Sequence, residues 1–227
     1  MSSSLGFSLV ESDANATFAE ELVCPISGYS HSFKLSDDGG LLIWGMNLKM
    51  HIFRKNGSNC LLEQTFTRPG NTISVDLSAD EKEIVSCHND LHFFRHDGAQ
   101  FVFSQNISLG FNCQGVNFID NMVLVHGTST EVRFYEFNGS EYVPKFTLPT
   151  NDSSIKKISI AEDESQIMFG GDSQNVSAYT LNSGIFQLSE QLETSVPIQE
   201  LFVDLAQLYF VPSTSQPALK VFFRCPD

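Results

Sequence analysis

An Asn-Gly or Asp-Gly dipeptide returns along this chain at a nearly constant interval. Asn56-Gly57, Asp97-Gly98 and Asn138-Gly139 are spaced 41 residues apart, and a looser copy, Asn182-Ser183-Gly184, follows 45 residues later. Both central residues of a type I′ hairpin turn need φ > 0, which Gly and Asn tolerate best, so each copy predicts a tight turn between antiparallel strands. A fixed period means one supersecondary unit copied along the chain, and the fold must stack such units.

The residues around each turn repeat with it. A strand-like run precedes it: His51 to Arg54, His92 to Arg95, Val132 to Tyr135, Val176 to Tyr179. Another follows: Leu61 to Phe66, Phe101 to Ile107, Tyr142 to Leu148, Ile185 to Leu192. Upstream lies a segment alternating with period two, ending at Ser36, Ser78, Ile119, Ala161 and Asp204, in steps of 42, 41, 42 and 43 residues. Next to it is a short apolar run such as Leu41 to Trp44, Met122 to Val125 or Ile167 to Phe169. Alternation marks a strand with one wet face, and a continuous apolar run marks a strand buried on both. Four strands every 40–45 residues is the size of one blade of a β-propeller. The expected fold is therefore all-β, a propeller of four-stranded antiparallel blades.

Phe33-Lys34-Leu35-Ser36-Asp37-Asp38-Gly39, followed by Leu41-Leu42-Ile43, resembles the core of a WD40-type repeat. Ile158 to Asp163 with Ile167 to Asp172 and Val176 to Tyr179 resembles it again, and the likeness extends over nearly the entire chain. It is a divergent likeness. Phe53-Arg54, Phe94-Arg95, Tyr135-Glu136 and Tyr179-Thr180 stand where the family has Trp-Asp, and no Gly-His pair opens a repeat. The family's Ser/His/Asp/Trp hydrogen-bond network therefore does not carry over. Packing between aromatic rings has to brace the blades instead, and the chain has 20 Phe.

Blades are expected at about 29–66, 72–107, 114–148, 155–192 and 198–223, the last lacking an outer strand. Residues 17–23 (Thr-Phe-Ala-Glu-Glu-Leu-Val) are similar to Ile185 to Leu192 and are expected to supply that strand, closing a five-bladed ring within one domain, 17–227. Residues 1–16 are expected to form a flexible tail. The alternative is a partial propeller completed by self-association, since an open propeller leaves a strand edge unpaired.

A net charge of −14 argues against a nucleic-acid or anionic-membrane partner, both of which call for a basic face. Arg54, Lys55, Arg95 and His96 fall at equivalent positions of two repeats, and are read as solvated hairpin residues rather than a basic patch. No apolar run reaches the ~18 residues of a membrane span, and the first residues lack the pattern of a signal peptide. Five cysteines without a CxxC pair suggest free thiols in a reducing compartment, so a cytoplasmic location is expected. Sequons at Asn15, Asn56, Asn106, Asn138, Asn151 and Asn175 are read as turn chemistry.

No catalytic, cofactor or metal site is expected. His88, His92 and His96 could share one side of a strand, but at about 3.3 Å per residue successive members lie roughly 13 Å apart, beyond a shared metal. A glycoside hydrolase would need paired carboxylates on inner strands, and only Asp76 and Glu200 offer themselves. A glycan-binding lectin is the other alternative, although the equivalent loops at Arg68, Gly110 and Asn151 differ in sequence. The favoured expectation is a non-enzymatic docking subunit of an intracellular eukaryotic complex, binding other proteins. Its candidate contact residues, in the loops that join one blade to the next and the second strand of a blade to its third, are Tyr29, Met46, Leu48, Arg68, His88 and Phe111.

Overall fold

The computed structural model describes residues 5–8, 21–24, 30–57, 59–68, 70–150, 154–161, 163–171, 175–193, 198–204, 207–212 and 220–223. Every regular element among them is a β-strand, and they divide into two compact units, Met1–Ile107 and Ser108–Asp227.

The first unit opens with β1 (Leu5–Ser8) and β2 (Glu21–Cys24), followed by β3 (Ser30–Leu35), β4 (Leu41–Met46), β5 (Lys49–Asn56) and β6 (Asn59–Thr67). These six make one sheet in the order β1-β2-β6-β5-β4-β3. A second sheet is the antiparallel meander β7 (Ser74–Leu77), β8 (Glu83–Cys87), β9 (Asp90–His96) and β10 (Phe101–Ser108). Leu41, Ile43, Met50 and Ile52 of the first sheet form a common core with Val75, Leu77, Ile84 and Phe94 of the second. Phe66 joins it with its ring 4.4 Å from that of Phe94.

The second unit contains two further meanders. One runs through β11 (Cys113–Ile119), β12 (Met122–Gly127), β13 (Glu131–Phe137) and β14 (Tyr142–Pro149). The other runs through β15 (Ile155–Ile160), β16 (Gln166–Gly171), β17 (Asn175–Asn182) and β18 (Ile185–Glu193). A three-stranded sheet of β19 (Ile198–Asp204), β20 (Gln207–Pro212) and β21 (Lys220–Phe223) completes it. Phe134 anchors this core, stacked between Phe146 at 4.4 Å and Phe186 at 5.6 Å.

The burial pattern follows the expected strand types. All six residues of β12 are buried, as are Leu41 to Gly45 of β4 and Ile167 to Gly171 of β16. Fourth strands such as β10 alternate and are largely exposed. This is the difference between a strand covered on both faces and an edge strand with one.

Two details depart from expectation. Thr17 to Glu20 lie outside the described residues, but Glu21 to Val23, the rest of the expected closing strand, belong to β2 of the first sheet. This strand pairs antiparallel with β1 and, through Val23 and Asn59, parallel with β6. The last sheet has three strands among the described residues. An outer edge offers the same unpaired N–H and C=O groups in every repeat, so a sequence likeness to an outer strand does not specify which edge it joins.

The second departure concerns the turns. Ser183 and Gly184 have φ of 52° and 80° between the paired Asn182 and Ile185, the two-residue geometry expected. At Asp97-Gly98 and Asn138-Gly139 only the glycine is left-handed, with φ of 102° and 96°. There the Asx side chain closes a longer turn instead. The Asp97 carboxylate accepts the N–H groups of Ala99 and Gln100, and the Asn138 carbonyl those of Ser140 and Glu141. Gly98→Val is expected to cost about 1 kcal/mol or more in urea denaturation. A Cβ there meets nothing within 4 Å, so the loss is one of backbone conformation alone.

Candidate functional site

Of the six contact residues expected from sequence, Tyr29 lies outside the described residues. Leu48 is 50% exposed and held at φ 58° in the turn between β4 and β5. Met46 is half-buried against the cluster of Leu42, Trp44, Phe53 and Cys60. His88 is half-buried beside Gly70, where a Cβ would lie 2.9 Å from its Nδ1. Phe111 is half-buried beneath the Arg133 guanidinium, 4.8 Å from the ring centroid. Arg133 is held there by its bond to the Leu109 carbonyl at 2.8 Å.

Arg68 is a correction. It is only 6% exposed, so it is part of the interior of the first unit rather than a contact residue. Its Nη1 donates to Ser86 Oγ at 2.6 Å and to Thr72 Oγ1 at 3.3 Å, and its Nη2 donates to His92 Nδ1. Its Nε has no partner among the described residues. A guanidinium only donates, so the His92 ring accepts through Nδ1 and is neutral. Burial, with the Arg68 charge beside it, holds the His92 pKa at about 4, and burial lowers that of Arg68 to about 10. Arg68 thus ties the connection between β6 and β7 to β8 and β9.

His126 performs a related task in the second unit. Its Nδ1 donates to the Ile155 carbonyl at 3.1 Å, and its ring lies against Gly115. Burial lowers its pKa to about 4. Both rings are neutral in the folded state and would titrate near pH 6.5 when unfolded. The unfolded chain therefore binds more protons between these values, and stability falls as pH drops from about 6.5 to 4. For His126 the loss is about 2 kcal/mol by pH 5. Thermal melts at pH 7.5 and pH 5 should show it, and His126→Leu, which cannot titrate, should flatten the dependence. Carboxylates such as Asp38, lowered by the Ser36 hydroxyl, and Asp163, lowered by that of Ser165, act only below this window.

The charged residues are largely matched. Arg54 pairs with Glu63 at 2.7 Å, Arg95 with Glu83 at 2.7 Å and Lys145 with Glu136. Arg54 and Arg95, at equivalent positions of two repeats, are thus each paired with a glutamate of a neighbouring strand. Asp76, the inner-strand carboxylate, is nearly buried and pairs with Lys34 at 3.0 Å. His92 binds Arg68, whereas His96 accepts the Gly98 N–H and packs edge-on against Phe101. Among the described residues no group of three His, Cys, Asp or Glu could hold a metal ion.

Sequence reasoning missed one repeated surface feature. Leu62 pairs with Phe53, Pro144 with Tyr135, and Leu188 with Tyr179, in each case opposite a buried third-strand aromatic residue and beside a bulge in the fourth strand. Phe103, nine residues after Phe94, packs edge-on to it at 6.0 Å. Leu62, Phe103 and Leu188 are 52–55% exposed, and Pro144 is exposed as well. The signal was present as an apolar residue nine positions after each third-strand aromatic.

The cysteines also differ from expectation. Cys60, Cys87 and Cys113 are buried and disulfide-bonded rather than free thiols. No protein-family model matches the chain, and no curated protein matches it.

Proposed function

We propose that this chain is a divergent WD40-like β-propeller serving as a non-enzymatic docking subunit for other proteins. Several features support the propeller reading. Each meander has its second strand buried, and in each unit the first strands of consecutive sheets are neighbours: β3 with β7, β11 with β15, β15 with β19. A bulge recurs between first and second strands at Ser30/Ser32, Cys113/Gly115, Ile155/Lys157 and Ile198/Glu200. Another recurs between third and fourth strands at Ile52/Phe53, Phe134/Tyr135 and Ala178/Tyr179. The Arg68–Ser86–His92 cluster links loop, second strand and third strand, the task that the family's network performs with other residues.

The observation that carries the docking reading is the apolar side chain repeated at Leu62, Phe103, Pro144 and Leu188. Single exposed apolar residues are ordinary on any surface. The same exposed position filled with an apolar group in four repeats is not required by a solvated outer strand. Asp76, one of the two inner-strand carboxylates that a hydrolase would need, is paired with Lys34, which weighs against the hydrolase alternative.

The test is purification of the native protein under mild conditions, with mass spectrometry of what co-elutes. A stoichiometric protein is expected, its retention reduced at least tenfold by Leu62→Ser with Leu188→Ser while the melting temperature stays unchanged. Retention of the partner by this double variant, or elution of the native chain alone, would overturn the reading.

A further inference from the structure

We propose that Asn56, Asn106 and Asn138 are N-glycan acceptors, on a chain that matures in an oxidising secretory compartment. This revises the compartment expected from sequence and is independent of the docking reading. Two unrelated observations meet here. The first is chemical: disulfides at Cys60, Cys87 and Cys113 require loss of two protons and two electrons per bond to a thiol–disulfide oxidant, which a reducing cytosol opposes. Their burial leaves them covered within the folded chain.

The second is geometric. A sequon in a buried strand could not carry a glycan in the folded protein. These three asparagines are all exposed: Asn56 at the end of β5, Asn106 on the edge strand β10, and Asn138 at the turn after β13. A Cβ added at Gly57 or Gly139, the next residues after Asn56 and Asn138, meets nothing within 4 Å, so both turns have open space around them. Asn106 lies within a regular strand, where an explanation from turn chemistry has no purchase. In the transfer, the Asn Nδ2 forms a bond to C1 of an oligosaccharide held on a lipid diphosphate. The C1–O bond breaks, the lipid diphosphate leaves with the electron pair, and the amide proton passes to a base of the transferase.

The experiment takes the native chain from the cells that make it, alkylates it in denaturant without reduction, and treats it with peptide N-glycosidase in heavy-oxygen water. Each glycosylated Asn is thereby converted to labelled Asp. Label is expected at Asn56, Asn106 and Asn138, with Cys60, Cys87 and Cys113 refractory to alkylation. Ser140→Ala and Ser108→Ala, which leave the asparagines in place, should each remove one label. Fewer than two labelled sites would overturn the proposal. So would alkylation of all three cysteines without reduction, which places the chain in a reducing compartment.

Discussion

Gly115→Ala is expected to destabilise the second unit by about 3 kcal/mol or more, the upper end of what overpacking does. The added Cβ would lie 1.9 Å from His126 Nε2 and within 2.8 Å of two ring carbons. The ring has no room to retreat, because it is buried and its Nδ1 is committed to the Ile155 carbonyl. The companion measurement is a double-mutant cycle. His126→Ala removes the obstacle, so Gly115→Ala in that background should cost far less, with an interaction energy of about 1–3 kcal/mol. Additive losses in urea denaturation would show that the clash is not between these two residues. Gly127→Ala offers a contrast, since its Cβ would meet the Asn112 carbonyl oxygen at 2.1 Å, and no side-chain deletion relieves a clash with backbone.

Arg68→Ala is expected to cost about 2–4 kcal/mol, by opening a cavity and leaving Ser86 Oγ without its donor. Arg68→Met should be milder. It fills the space without a charge to desolvate, so removing the buried guanidinium relieves a cost as well as losing bonds. Arg68→Lys should resemble Ala more than Met, because a single ammonium cannot reach both Ser86 and His92 as the planar fork does. In the Arg68→Met variant the His92 pKa should rise, because the neighbouring positive charge has gone, and NMR titration would show it. If all three variants leave the melting temperature unchanged, Arg68 does not hold the interior as described.

Much of the architecture was legible from the repeat. The strands β3 to β6 and β15 to β18 run over 30–67 and 155–193, where the repeat places units at about 29–66 and 155–192. The turn types were half legible. Gly98 and Gly139 had to be left-handed, but Asp97 and Asn138 were expected to share that backbone and instead serve through their side-chain oxygens. An Asx residue can do either, and the choice depends on loop length, which the flanking pairing sets. The candidate site was least legible. Arg68 and Leu48 were equally plausible as contact residues, yet one is buried and the other exposed.

By itself the sequence determined the repeat, the four strands in each of the four complete copies and which of them is buried on both faces. All of these follow from local periodicity and short-range backbone preference. Only the tertiary structure decided that Glu21–Cys24 joins β6, that Gly115 is required by a histidine eleven residues away, and that Arg68 turns inward to Ser86 and His92. Each depends on which edge, ring or hydroxyl is presented by a strand distant in sequence. A period of two or a turn dipeptide specifies the face of a strand. It does not carry the identity of what packs against that face.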